Sequence, residues 1–227
     1  MRTTTDYKGL YKAASLALFA SGILLLVYSA IALWLGPAPT ATPQFLNFLS
    51  ANYLLVGVAF AILIFAFVLV IPSVFALYHV LRDTSIGRAV VGSAFFVAGI
   101  FVLLANAGNY FWLINIALGY TSQCMTNCQQ INQAAATSTN SVQIDFFIGN
   151  MLIAVGLIVL GLAMLKNTVF GKGPGTLGIV SGLFALLVPP WWGFVNLSLS
   201  AYPVVATLIL YGVWSLATAS KLYGLRK

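Results

Sequence analysis

Charge is what this sequence has least of. Aspartate and glutamate together number three, histidine occurs once, and charged residues make up 6% of the 227. A soluble domain carries roughly 25%. A chain this poor in charge cannot cover itself with polar surface, so lipid must be the solvent for much of it. The same shortage empties the catalytic classes. There is no close pair of carboxylates, no histidine-based nucleophile system and no G-x-S-x-G elbow. The chain is therefore expected not to be an enzyme and to hold no cofactor. A metal site needs about four ligands, and the two cysteines have no histidine nearby, so no metal is expected. Lone His79, in YHVLR, cannot supply bis-histidine haem ligation; it reads as a headgroup-level residue. The formal charge of +7 is spread in small groups rather than gathered as a patch with interleaved aromatics, which argues against nucleic acid.

What the sequence does have is 61% hydrophobic residues, and they fall in long runs. The spacing predicts an all-α membrane protein, a single integral domain built as a six-transmembrane-helix bundle. Its spans lie near residues 13–35, 51–81, 89–118, 146–165, 177–197 and 202–220. The first run is long enough to cross a bilayer and longer than a signal-peptide core, so it is read as a retained helix. Spans 2 and 3, at about 30 residues or 45 Å of helix, exceed a hydrocarbon core of about 30 Å and must tilt, kink or project. Pro72 is a candidate kink in span 2, and Pro189-Pro190 interrupts span 5, which is expected to continue as a kinked helix.

The ten basic residues fix an orientation. Arg2, Lys8 and Lys12 precede span 1; Arg82 and Arg88 separate spans 2 and 3. Lys166 and Lys172 separate spans 4 and 5; Lys221, Arg226 and Lys227 follow span 6. With six spans all ten share one face, which the positive-inside rule makes cytoplasmic, both termini included. A plasma-membrane protein, prokaryotic in style, is the expectation. Trp34, Trp112, Tyr120, Trp191, Trp192 and Tyr202 would form an outer aromatic belt, and Tyr7, Tyr11, Tyr78, Trp214 and Tyr223 an inner one.

Between spans 3 and 4 lies residues 119–141, GYTSQCMTNCQQINQAAATSTNS, the longest polar stretch. It has no charge and holds both cysteines. It reads as an extracytoplasmic loop capping the outer face. Small residues suit close helix packing in lipid: Gly149, Gly156 and Ala163 on span 4, Gly178 and Gly182 on span 5, and Ala13, Ala17 and Ser21 on span 1. The bland use of these is packing inside the bundle; the other is to receive protein partners within the membrane.

Asn106 and Asn109 share a face of span 3. With Asp145, Asn150 and Trp191 they are the candidate ligand pocket, outward-facing and polar, beside the proline break. Asp145 also suits a helix N-terminus, and the asparagines suit interhelical hydrogen bonds. The glycine-rich 170–176 segment lacks the spacing of a phosphate-binding loop, and the Asn196-Leu197-Ser198 sequon lies too near the membrane surface for confident glycosylation. The sequence thus points to a structural or accessory multi-pass protein, a subunit of a larger complex, with the lipid bilayer as its first partner. The alternative is a small-solute transporter or channel using the pocket.

Cys124 and Cys128 sit on the outer side, where disulfides form, and one helical turn sets their Cα atoms about 6 Å apart, within disulfide reach. Replacing either cysteine should change mobility under non-reducing conditions. A thiol that alkylates readily in the native protein would rule the bond out.

Overall fold

The computed structural model describes the backbone of residues 7–39, 42–194 and 197–225, and the side chains of these except 121–127 and 188–201. Six helices follow one another: α1 (Lys8–Leu35), α2 (Thr42–Ala51), α3 (Tyr53–Ala105), α4 (Ala107–Lys166), α5 (Lys172–Phe194) and α6 (Leu197–Gly224). Among the described residues there is no strand. The all-α class follows. Four stretches among the described residues are long and apolar enough to cross a membrane: Lys8–Leu35, Tyr53–Tyr120, Cys128–Lys166 and Tyr202–Gly224.

Two of these helices contain reversals. Ser85, at φ −161° and ψ 69°, breaks α3 into two arms. The arms fold back on each other, since Phe60 stacks on Tyr110 at 4.0 Å between ring centroids. The pair is placed symmetrically about Ser85. Pro72 lies inside the first arm. It does not set the reversal. In α4, residues 107–120 run on from the second arm of α3 across Asn106, whose carbonyl still accepts the Tyr110 amide at 3.3 Å. Contacts then pair Asn106 with Val142, and Gly99 with Gly149. Both pairs are centred on residue 124, so the chain doubles back between Tyr120 and Cys128.

The polar stretch 119–141 is therefore helical on both sides of that reversal, and not the loop the sequence suggests. Its Gln, Asn, Ser and Thr residues looked like linker. Of those with described side chains, Gln129, Gln130, Gln133, Thr137 and Asn140 are exposed, while Ala135 pairs inward with Leu113 and Ala117. The rod of residues 86–120 is about 52 Å long at 1.5 Å per residue, well beyond a hydrocarbon core of about 30 Å. A hairpin built on such a rod must tilt or project beyond one face. Helix α2, absent from the sequence reading, lies against its stem. Leu46, Leu49 and Val56 are buried with Leu113, Ile114, Ala117, Tyr120 and Ala135.

The remaining helices close a ring. α1 packs between the first arm of α3 and α6, α6 against α5, and α5 against the returning arm of α4. The described basic residues Lys8, Lys12, Arg82, Arg88, Lys166, Lys172 and Lys221 all lie at one end. That end is held by Tyr11 with His79 Nδ1 at 2.8 Å, and by Asn167 Nδ2, which donates to Val80 O at 3.2 Å. The basic end and the distal, hairpin end are thus opposite poles. α5 starts at Lys172, earlier than expected, and its backbone stays helical through Pro189-Pro190 to Phe194.

Backbones touch where glycines allow it. A Cβ on Gly99 would stand 2.5 Å from the Gly149 carbonyl oxygen, one on Gly156 2.6 Å from the Phe96 nitrogen, and one on Gly182 2.6 Å from the Ala154 carbonyl oxygen. Gly149 and Gly156 therefore face the second arm of α3. On α1 the buried stripe is Ala14, Leu18, Ser21, Gly22 and Leu25. Ala13 is exposed, so the expected Ala13, Ala17, Ser21 stripe is out of register. Gly22 meets Gly212 on α6 instead. The inner aromatic belt also needs correction. Trp214 is 1% exposed and packs 5.9 Å from Phe96, because α6 turns it into the bundle rather than to the interface. Tyr120 is likewise buried, whereas Trp34 is 85% exposed as an interfacial anchor would be.

Gly156→Val should destabilise the bundle by about 1–3 kcal/mol or more, since the added atoms have backbone on the other side. Gly57→Ala, where nothing lies within 4 Å, should cost nothing. Thermal unfolding of the detergent-purified variants separates the two; equal stability would mean the α3–α4 approach is looser than described.

Candidate functional site

The distal half of the ring is incompletely filled. Two cavities of about 200 Å³ each lie there. They meet at a waist of Tyr28 from α1, Phe60 from α3, Tyr110 from α4 and Val204 from α6. The deeper one runs toward Phe67 and Leu103 and is walled by Val142, Gln143 and Phe146 on the returning arm of α4. The shallower one ends at Gly36, Ala38 and Phe48, beyond the last turn of α1. The helices are held apart here by rings. Phe60 stacks flat on Tyr110, with an interplanar angle of 14°, and meets Phe111 edge-on at 5.7 Å. Nearer the basic end, glycines bring the same helices into contact, so the ring opens toward the hairpin end.

The wall is almost wholly apolar. Among the described residues, its polar groups are the hydroxyls of Tyr28 and Tyr110 with the amides of Asn106 and Gln143, and no lysine, arginine, aspartate or glutamate contributes to it. Most of the Asn106 amide is already engaged. Its Nδ2 donates to Val142 O at 3.0 Å, and its Oδ1 accepts from Asn109 Nδ2 at 3.1 Å. The first of these bonds ties the two arms of the hairpin together.

The five residues expected to share a pocket are therefore distributed. Asn106 is buried at the cavity wall. Asn109 touches it only through Asn106, its own side chain being exposed. Asp145 is half-buried and is not part of the wall, which its neighbours Gln143 and Phe146 form. Asn150 lies deeper, at a different seam: its Oδ1 accepts from the Tyr211 hydroxyl at 3.2 Å and its Nδ2 donates to Ala185 O at 3.4 Å. That one amide joins α4, α5 and α6. The side chain of Trp191 lies outside the described residues, as does that of Cys124. Cys128 is half-buried beside Tyr120, whose hydroxyl is 4.0 Å from its sulfur.

Tyr28, Phe60 and Tyr110 escaped the sequence reading. Tyr28 carried the one usable signal, a hydroxyl well inside span 1 rather than at its end. Asn167 escaped too. Besides its bond to α3, its Oδ1 accepts the Val169 amide at 2.9 Å, so it shapes the turn into α5.

Residues 13–219 match a protein-family model described as a domain of unknown function (DUF4386). The chain belongs to that family. No curated protein and no solved structure matches it significantly.

The Asn150–Tyr211 pair is open to a double-mutant cycle. Asn150→Ala, Tyr211→Phe and the double variant should give a coupling of about 0.6 kcal/mol in bilayer unfolding measurements. A coupling indistinguishable from zero would show that the hydroxyl bonds elsewhere.

Proposed function

We propose that this member of the family is a structural or accessory multi-pass membrane protein, a subunit that acts through contacts and not through catalysis. The hairpin of residues 107–141 carries this reading. Its first arm continues the rod of residues 86–120, which is longer than a hydrocarbon core is thick. Helix α2 braces it through Leu46 and Leu49. Gln129, Gln130, Gln133, Thr137 and Asn140 are exposed along it, an uncharged polar face suited to a protein partner. Three buried amides, Asn106, Asn150 and Asn167, bond across helix seams. That is the economy of a scaffold.

The basic pole would face the cytoplasm with both termini, and the hairpin would stand on the extracytoplasmic side of a prokaryotic plasma membrane, with six crossings in all. A Cys124–Cys128 disulfide would then close the hairpin tip in an oxidising compartment. The second reading, a small-solute transporter or channel, draws support from the cavity alone. The weakness of that reading is the wall, whose described residues offer a polar solute two phenols and two amides, one of them engaged.

A photoreactive amino acid at Gln130, Gln133 or Thr137 should cross-link a second polypeptide in native membranes. Adducts confined to lipid at all three positions would remove the accessory reading.

A further inference from the structure

We infer that the two distal cavities form one slot that holds the hydrocarbon tail of a membrane lipid whose headgroup stays outside the bundle. The lobes share Tyr28, Phe60, Tyr110 and Val204, so they are end to end. From Val56 at the shallow lobe to Phe67 at the deep one is about 16 Å along α3. The slot is long and narrow, the shape of a chain and not of a compact solute. Its shallow end, at Gly36, Ala38 and Phe48, lies where α1 has finished and α2 begins its course along the hairpin stem. That is headgroup depth if α1 spans the hydrocarbon core.

The chemistry of the wall selects the occupant. Water is retained in a cavity by polar partners, and an apolar cavity of this size stays dry. An empty slot forgoes the packing contacts of its lining. The bilayer supplies tails at that depth, and a tail entering from it exchanges one apolar surrounding for another. Among the described residues the wall has no cation. A free fatty carboxylate drawn inside would be buried without a partner, which is costly. A diacyl lipid avoids this, because its charge remains at the mouth.

The test is photolabelling in phosphatidylethanolamine–phosphatidylglycerol vesicles, with a diacyl phospholipid bearing a diazirine near its tail end. Adducts are mapped by peptide mass spectrometry. The expected sites are the inner wall, Leu63 and Leu104, as well as Phe65 and Phe75, which face outward at 63% and 61% exposure. Ile64→Trp and Val204→Phe each fill part of the slot from a different helix. In either, inner-wall adducts should be largely lost, because the added side chain occupies the space of the tail, while those on Phe65 and Phe75 stay unchanged. Adducts confined to outward-facing residues in the native chain would overturn the inference without recourse to any variant.

Discussion

Close backbone contact between helices is the constraint on which the rest of this structure depends. Inside a bilayer no hydrophobic force draws helices together, because lipid tails are as apolar as leucine. What remains is packing density and hydrogen bonding. Gly99 against Gly149, Gly156 against Phe96 and Gly182 against Ala154 let α3, α4 and α5 approach until main-chain atoms touch. Gly22 and Gly212 do the same for α1 and α6. Leucine and isoleucine side chains from each neighbour then fill the space beside the glycines, and the contact surface is continuous.

At the distal pole the construction changes. The hairpin stem and α2 bury their own cluster of Leu46, Leu49, Leu113, Ile114 and Ala135, separate from the bundle core. Where such a cluster stands in water, burying a leucine stabilises by about 1.5–3 kcal/mol. Two cores of different origin thus share one pair of long helices. The bend at Asn106 falls between them. Its amide bonds to Val142 across the hairpin, so the joint is braced where neither core reaches fully.

The slot follows from this division. Glycines close the basic half of the ring, while stacked Phe60 and Tyr110 keep the distal half open. A bundle tightened along its whole length would have no interior, and one held only by aromatic spacers would lack a fixed register. The combination leaves a tapered space at one pole, bordered by the hairpin. Scaffold and lipid-tail site are compatible on this geometry, since the hairpin's polar face and the slot's apolar wall are on opposite sides of the same helices.

Much of the plan was legible in the residues. Low charge and long apolar runs determine a helical membrane protein, because backbone polar groups in lipid must be satisfied within each segment. The grouping of basic residues determines that the turns at Ser85 and Asn167 lie together, since charges are held out of the hydrocarbon. The glycines of α4 announced a contact face. The sequence could not determine that residues 119–141 are helix. Their composition resembles a linker, and only the pairing of Ala135 with Leu113 and Ala117 across the hairpin decides otherwise. Nor could it separate Asn106 from Asn150, two amides of identical chemistry at similar depth. One faces a cavity and the other a three-helix seam. That difference arises from the rotation of each helix about its axis, which is set by which glycine meets which backbone in the folded bundle.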